Sequence, residues 1–111
     1  YNVAPLKWDD SLAALAESHC EDMIDRNFFA HNTPDGKTPF DRMKAAGISY
    51  SSAGENIAAG QSSPQNVMDS WMNSPGHRKN ILNPDFEYIG VGLARGGSYG
   101  IYWAQEFATF K

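Results

Sequence analysis

Three histidines, one glutamate and one serine carry the best claim to chemistry in this chain, and their settings differ. His77 stands in the run Ser74-Pro75-Gly76-His77, a cap-plus-proline start that puts it in the first turn of a helix. The positive end of a helix dipole disfavours imidazolium there. A neutral imidazole is the form that ligates a metal or accepts a proton. The competing reading is a histidine that only hydrogen-bonds its own turn. Glu55 lies between Gly54 and Asn56 in a short, otherwise apolar stretch. Burying a carboxylate there costs free energy unless it finds a partner, and a histidine would be one. The alternative is an exposed residue at a strand edge. His31 follows a helix and opens a polar turn. His19 falls on the apolar stripe of that helix and reads as a packed residue at the core edge.

None of these residues forms a local metal or nucleophile motif. HExxH, CxxC and an EF-hand loop are absent from the sequence, and no GxSxG nucleophile elbow appears: the one string of that form, Gly96-Gly97-Ser98-Tyr99-Gly100, falls in a turn between two strand-like runs. The single cysteine, Cys20, is mid-helix with no electropositive neighbour and reads as a small core residue. Any site must therefore be assembled by the fold from distant segments.

The elements that would assemble it are legible. Asp9 or Asp10 caps a helix reaching about Asn27, with Leu12, Leu15, Ala16, His19 and Met23 on one face. Thr38-Pro39 starts a second helix, with Phe40, Met43 and Ala46 facing inward and Gly47 closing it. Residues 48–60 read as a loop entering a short strand at Asn56–Ala58. Ser63-Pro64 and Ser74-Pro75 start two further helices, the first carrying Val67, Met68, Trp71 and Met72 on one side. Two alternating runs around a Gly96-Gly97-Ser98 turn make a β-hairpin. Trp8, Trp71, Trp103, Phe40, Phe86 and Phe107 fall at inward phases. Pro5 keeps residues 1–7 extended. Helices ahead of a hairpin, without βαβ alternation, define an α+β fold.

Composition bounds the function classes. The chain has 111 residues, room for one domain, and 41% hydrophobic residues, enough for one core. A net charge of −4 with scattered Lys and Arg leaves no footprint for nucleic acid or for charge-driven membrane binding. No apolar run is long enough for a transmembrane segment. A lone cysteine allows no intrachain disulfide. The start at Tyr1 reads as a domain cut from a longer protein, and nothing in the pattern demands more than a monomer.

Four segments then combine: FFAHNTPDGKTPFDRMKAAG, GENIAAG, SWMNSPGHRKNILNPDFEYIGVGLA and YWAQEF. In this order they resemble the bacterial branch of the CAP (SCP-like) superfamily, which includes cysteine-rich secretory, antigen 5 and plant pathogenesis-related-one proteins. The resemblance runs from about Pro5 to Phe107. It implies an α-β-α sandwich with a small antiparallel sheet between helical layers, in a single domain over 1–111 that lacks the family's first helix. It also implies a cleft built from two histidines and two acidic residues. His31 matches the first histidine, Glu55 the glutamate of the GEN motif, and His77 the second histidine. The remaining acidic position, three after the tryptophan of the central helix, is Ser74 here. Gln105 matches a strand glutamine and is expected to line the cleft.

The resemblance further implies secretion or attachment at the cell surface. Three readings of function follow. The first is a non-enzymatic binding domain whose His31, His77 and Glu55 hold a divalent cation, zinc foremost, or a small polar ligand, with water or Ser74 completing the set. The second is a metal-dependent hydrolase. The third is a lipid-, sterol- or cell-wall-binding module using surface aromatics such as Tyr50, Tyr99 and Tyr102.

Overall fold

The computed structural model describes residues 6–110. The extended reading of residues 1–5 therefore lies outside the described residues. Beyond them, Lys7–Trp8 form a two-residue strand, β1. Asp9 then caps α1 (Asp10–Asp25) by accepting the Leu12 N–H, and Leu12, Leu15, Ala16, His19, Cys20 and Met23 make the buried face. The short α2 (Pro39–Ala45) is held by a full capping box between Thr38 and Asp41. Gly47 ends it at φ +78°, a left-handed conformation suited to glycine. The remaining elements are β2 (Tyr50–Ala59), α3 (Pro64–Met72), α4 (Pro75–Ile81), β3 (Tyr88–Gly96) and β4 (Gly100–Phe110).

The sheet order is β1-β3-β4-β2. β2, β4 and β3 are antiparallel neighbours, while β1 pairs with β3 in parallel. The expected antiparallel sheet is thus mixed at one edge, because the chain returns to β1's side only after α1 and the rest of the fold. β2 is also much longer than the strand expected at Asn56–Ala58. Its Ser- and Gly-rich first half has poor strand propensity, and pairing with β4 along its length overrides that.

One sheet face packs on α1, the other on α3 and α4, so the α-β-α sandwich holds. On the first face Ala16, Cys20 and Met23 meet Ile57, Tyr102 and Ala104. Leu12, Leu15, Met43 and Ile48 meet Ala108 beside them. On the second face Val67 and Trp71 meet Ala58, Ile101 and Trp103. Phe40 (43% exposed) and Trp8 (57% exposed) depart from the inward phases assigned to them. Phe40 lies against the Tyr50 ring, and Trp8 donates its indole N–H to Asp10. Ala46 and Met68 are exposed as well, because short helices bury only a narrow stripe.

Gly90 and Gly92 explain how close α1 comes. A Cβ at Gly90 would lie 2.0 Å from the Ala13 nitrogen, and one at Gly92 2.3 Å from the Glu17 nitrogen. The helix rests on bare strand backbone, so Ile89, Val91 and Leu93 point to the opposite face. Gly90→Ala is expected to lower stability by at least the roughly 1–3 kcal/mol of an overpacked core. Thermal unfolding checks this against Gly76→Ala, where a Cβ meets nothing within 4 Å.

Candidate functional site

The site grows out of three consecutive residues of β2. Alternate residues of a strand point to opposite faces, so the GEN run divides its work. Glu55 points to the α1 face, where its cross-strand neighbour is Glu106. Gly54 and Asn56 point to the other, where Phe86 fills the space a Cβ at Gly54 would need.

On the α1 side, Glu55 is enclosed by donors. His31 Nδ1 donates to Oε1 at 2.8 Å. Arg42 donates through both arms of its guanidinium, at 2.9 Å to Oε2 and 3.0 Å to Oε1. Arg42 also donates to the His31 carbonyl at 2.7 Å, which ties α2 to the turn carrying that histidine. His19 donates from Nε2 to the Ala30 carbonyl at 2.9 Å, fixing the same turn from α1. His19 is buried as expected, yet it braces the site. Burial lowers its pKa, against the pull of Glu55.

Glu106 is fully buried opposite Glu55, and among the described residues neither of its oxygens has a hydrogen-bond partner. The nearest cation is Arg42, at 3.6 Å. Burial, and then the adjoining Glu55 carboxylate, push the Glu106 pKa well above the usual range. Burial pushes Glu55 upward too. The adjoining Glu106 acid and the hydrogen bonds from His31 and Arg42 outweigh it and hold Glu55 at about 2. One Arg42 guanidinium thus balances one carboxylate, Glu55, and Glu106 stays a neutral acid.

On the other face, Asn56 Nδ2 reaches the His77 carbonyl at 3.1 Å and Gln105 Oε1 at 3.0 Å. Asn80 of α4 donates to Asn56 Oδ1 at 2.9 Å and to the Glu55 carbonyl at 3.2 Å. This amide network fastens α4, and with it His77, to β2. Gln105 is 2% exposed and stands behind the cleft, supporting Asn56. Ser74 occupies the N-cap position of α4 without capping it. Its hydroxyl instead lies 2.8 Å from His77 Nδ1. Burial lowers the His77 pKa, and His31 lowers it further.

His31 and His77 therefore reach one cleft of about 510 Å³ from opposite sides of the β2 edge. Phe29 and His31 form one wall, Trp71, Ser74 and His77 the other, and Ile57–Ala59 the floor. The ionised Glu55 only accepts, so His31 Nδ1 carries a proton, and among the described residues nothing bonds to its Nε2. This is the arrangement by which a carboxylate orients a metal-binding histidine. Glu55 itself stands behind His31, its oxygens occupied. Among the described residues, no group of three His, Cys, Asp or Glu side chains is placed to hold a metal ion. Of the three tyrosines expected at the surface, Tyr99 is exposed, Tyr50 half-buried and Tyr102 buried. Cys20 is buried, and burial raises its thiol to about 12, which suits a core residue.

Sequence reasoning missed Arg42 and Glu106. Glu106 had a signal: it shares the inward phase of Tyr102 and Ala104 on a central strand, where a carboxylate needs a reason. Arg42 had none, because its partners lie on other elements.

Fold and site together define a CAP domain, and the chain belongs to the cysteine-rich secretory protein (CAP) family, whose profile matches residues 1–107. It is 52% identical over 105 residues to the uncharacterized protein YkwD of Bacillus subtilis, covering 95% of this chain and 40% of that protein. An extracellular protein of Bacillus anthracis containing an SCP domain superposes with a TM-score of 0.85 at 38% identity, over 96% of this chain and 34% of that one. An outer surface protein of Borrelia burgdorferi shares the fold, with a TM-score of 0.89 at 24% identity over 99% of this chain and 81% of that one. The chain thus spans well under half the length of its Bacillus relatives. No helix among the described residues is long and apolar enough to cross a membrane.

Proposed function

We propose that this is a non-enzymatic binding domain, extracellular or at the cell surface, whose cleft between His31 and His77 takes a divalent cation, zinc foremost, or a small polar group. The observation that carries the reading is the Glu55–His31 hydrogen bond, which leaves the Nε2 lone pair of His31 for the cleft that His77 also lines. The donor set fits an open site: two imidazoles bind, Glu55 orients one of them, and water or the ligand fills the remaining positions. Extracellular placement is supported by the B. anthracis relative.

A hydrolytic reading draws on the Ser74 hydroxyl beside His77. Among the described residues no carboxylate is hydrogen-bonded to His77, so the pair lacks the third group that would orient a base. Binding without turnover is the better-supported function.

Calorimetric titration of zinc at pH 7.5 tests the reading. Affinity is expected to fall at least about tenfold in both His31→Ala and His77→Ala, and about 10- to 100-fold in Glu55→Gln, which disturbs the orientation of His31. Binding in the wild type should weaken as the pH falls below about 6.5 and the His77 imidazole, held below its ordinary value by burial, takes up a proton. Equal affinity in all four proteins would exclude the cleft as the binding site.

A further inference from the structure

The floor of the cleft is a strand edge, and its backbone groups specify a ligand chemistry. Among the described residues β2 has a neighbour, β4, on one side only. The Gly60 N–H bonds to the Ile101 carbonyl of β4. In an antiparallel pair the bonding direction alternates, so Gly60, Ala58 and Asn56 face β4 while Glu55, Ile57 and Ala59 face outward. Two of those outward carbonyls are capped by side chains from the covering helices. Asn80 donates to the Glu55 carbonyl and Trp71 to the Ile57 carbonyl. Where the cleft opens, the capping stops: among the described residues, no protein group bonds to the Ala59 N–H or carbonyl, or to the Ile57 N–H. Gln61, which also lines the cleft, has a side-chain oxygen with no partner among the described residues.

We propose that the cleft takes an extended peptide, added as a short strand along the β2 edge at Ile57–Ala59. The proposal rests on the binding reading above and names the class of partner for the same cleft. Outward donors and an acceptor at strand spacing are complementary to another strand. A lipid chain would cover them and leave them unpaired, at a cost for each buried group. Three residues of edge span about 10 Å, enough for three or four peptide residues. Alternate side chains of the added strand would then fall toward Phe29 and His31 on one wall and toward Trp71 and His77 on the other. The peptide is thereby selected by its backbone first and by its side chains second.

Amide hydrogen exchange and NMR titration test this. In the free protein the Ala59 amide should exchange at least about tenfold faster than that of Gly60, which is bonded to Ile101. A blocked hexapeptide of alternating threonine and valine, added at millimolar concentration, should shift the Ile57 and Ala59 amide signals and slow exchange at Ala59. The same peptide N-methylated at every residue should do neither. Equal protection of Ala59 and Gly60 in the free protein, no amide shift with the hexapeptide, or an equal shift with its N-methylated form would each overturn the proposal. Zinc binding is unaffected by these failures, so the cleft's general binding role stands or falls separately.

Discussion

Glu106→Gln is expected to stabilise the domain, by an amount that grows with pH. The native Glu106 carboxyl is held well above its ordinary 4.5, chiefly by burial. Between that ordinary value and the raised native one, the folded chain binds more protons than the unfolded chain. Stability therefore falls as pH rises, by up to about 1.4 kcal/mol per pH unit. Glutamine keeps the shape and a donor for Glu55 but does not ionise, so it removes this slope. His19 and His77, held neutral chiefly by burial, contribute an opposite slope below 6.5 in both proteins. The informative quantity is accordingly the difference between variant and wild type. Denaturant unfolding at pH 5, 7 and 9 should show that difference widening upward. Parallel curves would mean that Glu106 is already ionised in the fold and that the neutral-acid assignment fails.

Arg42→Met should have the opposite sign and comparable size. Arg42 is 11% exposed on its side chain and is the cation that balances Glu55, itself 1% exposed. Methionine keeps much of the stem's packing and removes the charge. Breaking such a pair leaves a carboxylate buried without compensation, which costs about 3–5 kcal/mol. The loss should shrink on acidification toward pH 5, because Glu55 without its Arg42 bonds takes up a proton more readily. Adding Glu55→Gln to Arg42→Met should recover part of it, since the charge that lacked a partner is then gone. Urea unfolding of both variants at pH 7.5 provides the check. A loss under about 1 kcal/mol for Arg42→Met would mean that the pair behaves like an exposed one.

Much of the scaffold can be read from local pattern. Asp9, Thr38 and Ser63 accept the N–H bonds expected of helix caps, and the apolar stripe of α1 is buried at the positions its periodicity marks. The glycine turn of the β3–β4 hairpin is likewise a local preference made visible. His31, Glu55 and His77 were nameable because their motifs recur in a family, although no spacing links them. Local signals of this kind depend on backbone preferences and on the period of one element, which a sequence states directly.

What the tertiary structure alone decided is how those residues are used. Ser74 reads as a cap and instead bonds His77, because the turn brings its hydroxyl to the imidazole. Gln105 reads as a cleft residue and instead supports Asn56 from behind. Glu55 reads as a ligand candidate, but Arg42 reaches it from α2 and, with His31, occupies its oxygens. Whether a carboxylate ligates, orients or stays protonated depends on which charges arrive from other elements and how much water they displace. The sequence determined which side chains could do chemistry; the packing of α1, α2 and α4 around β2 and β4 determined their protonation and their partners, because desolvation and hydrogen bonding act through space.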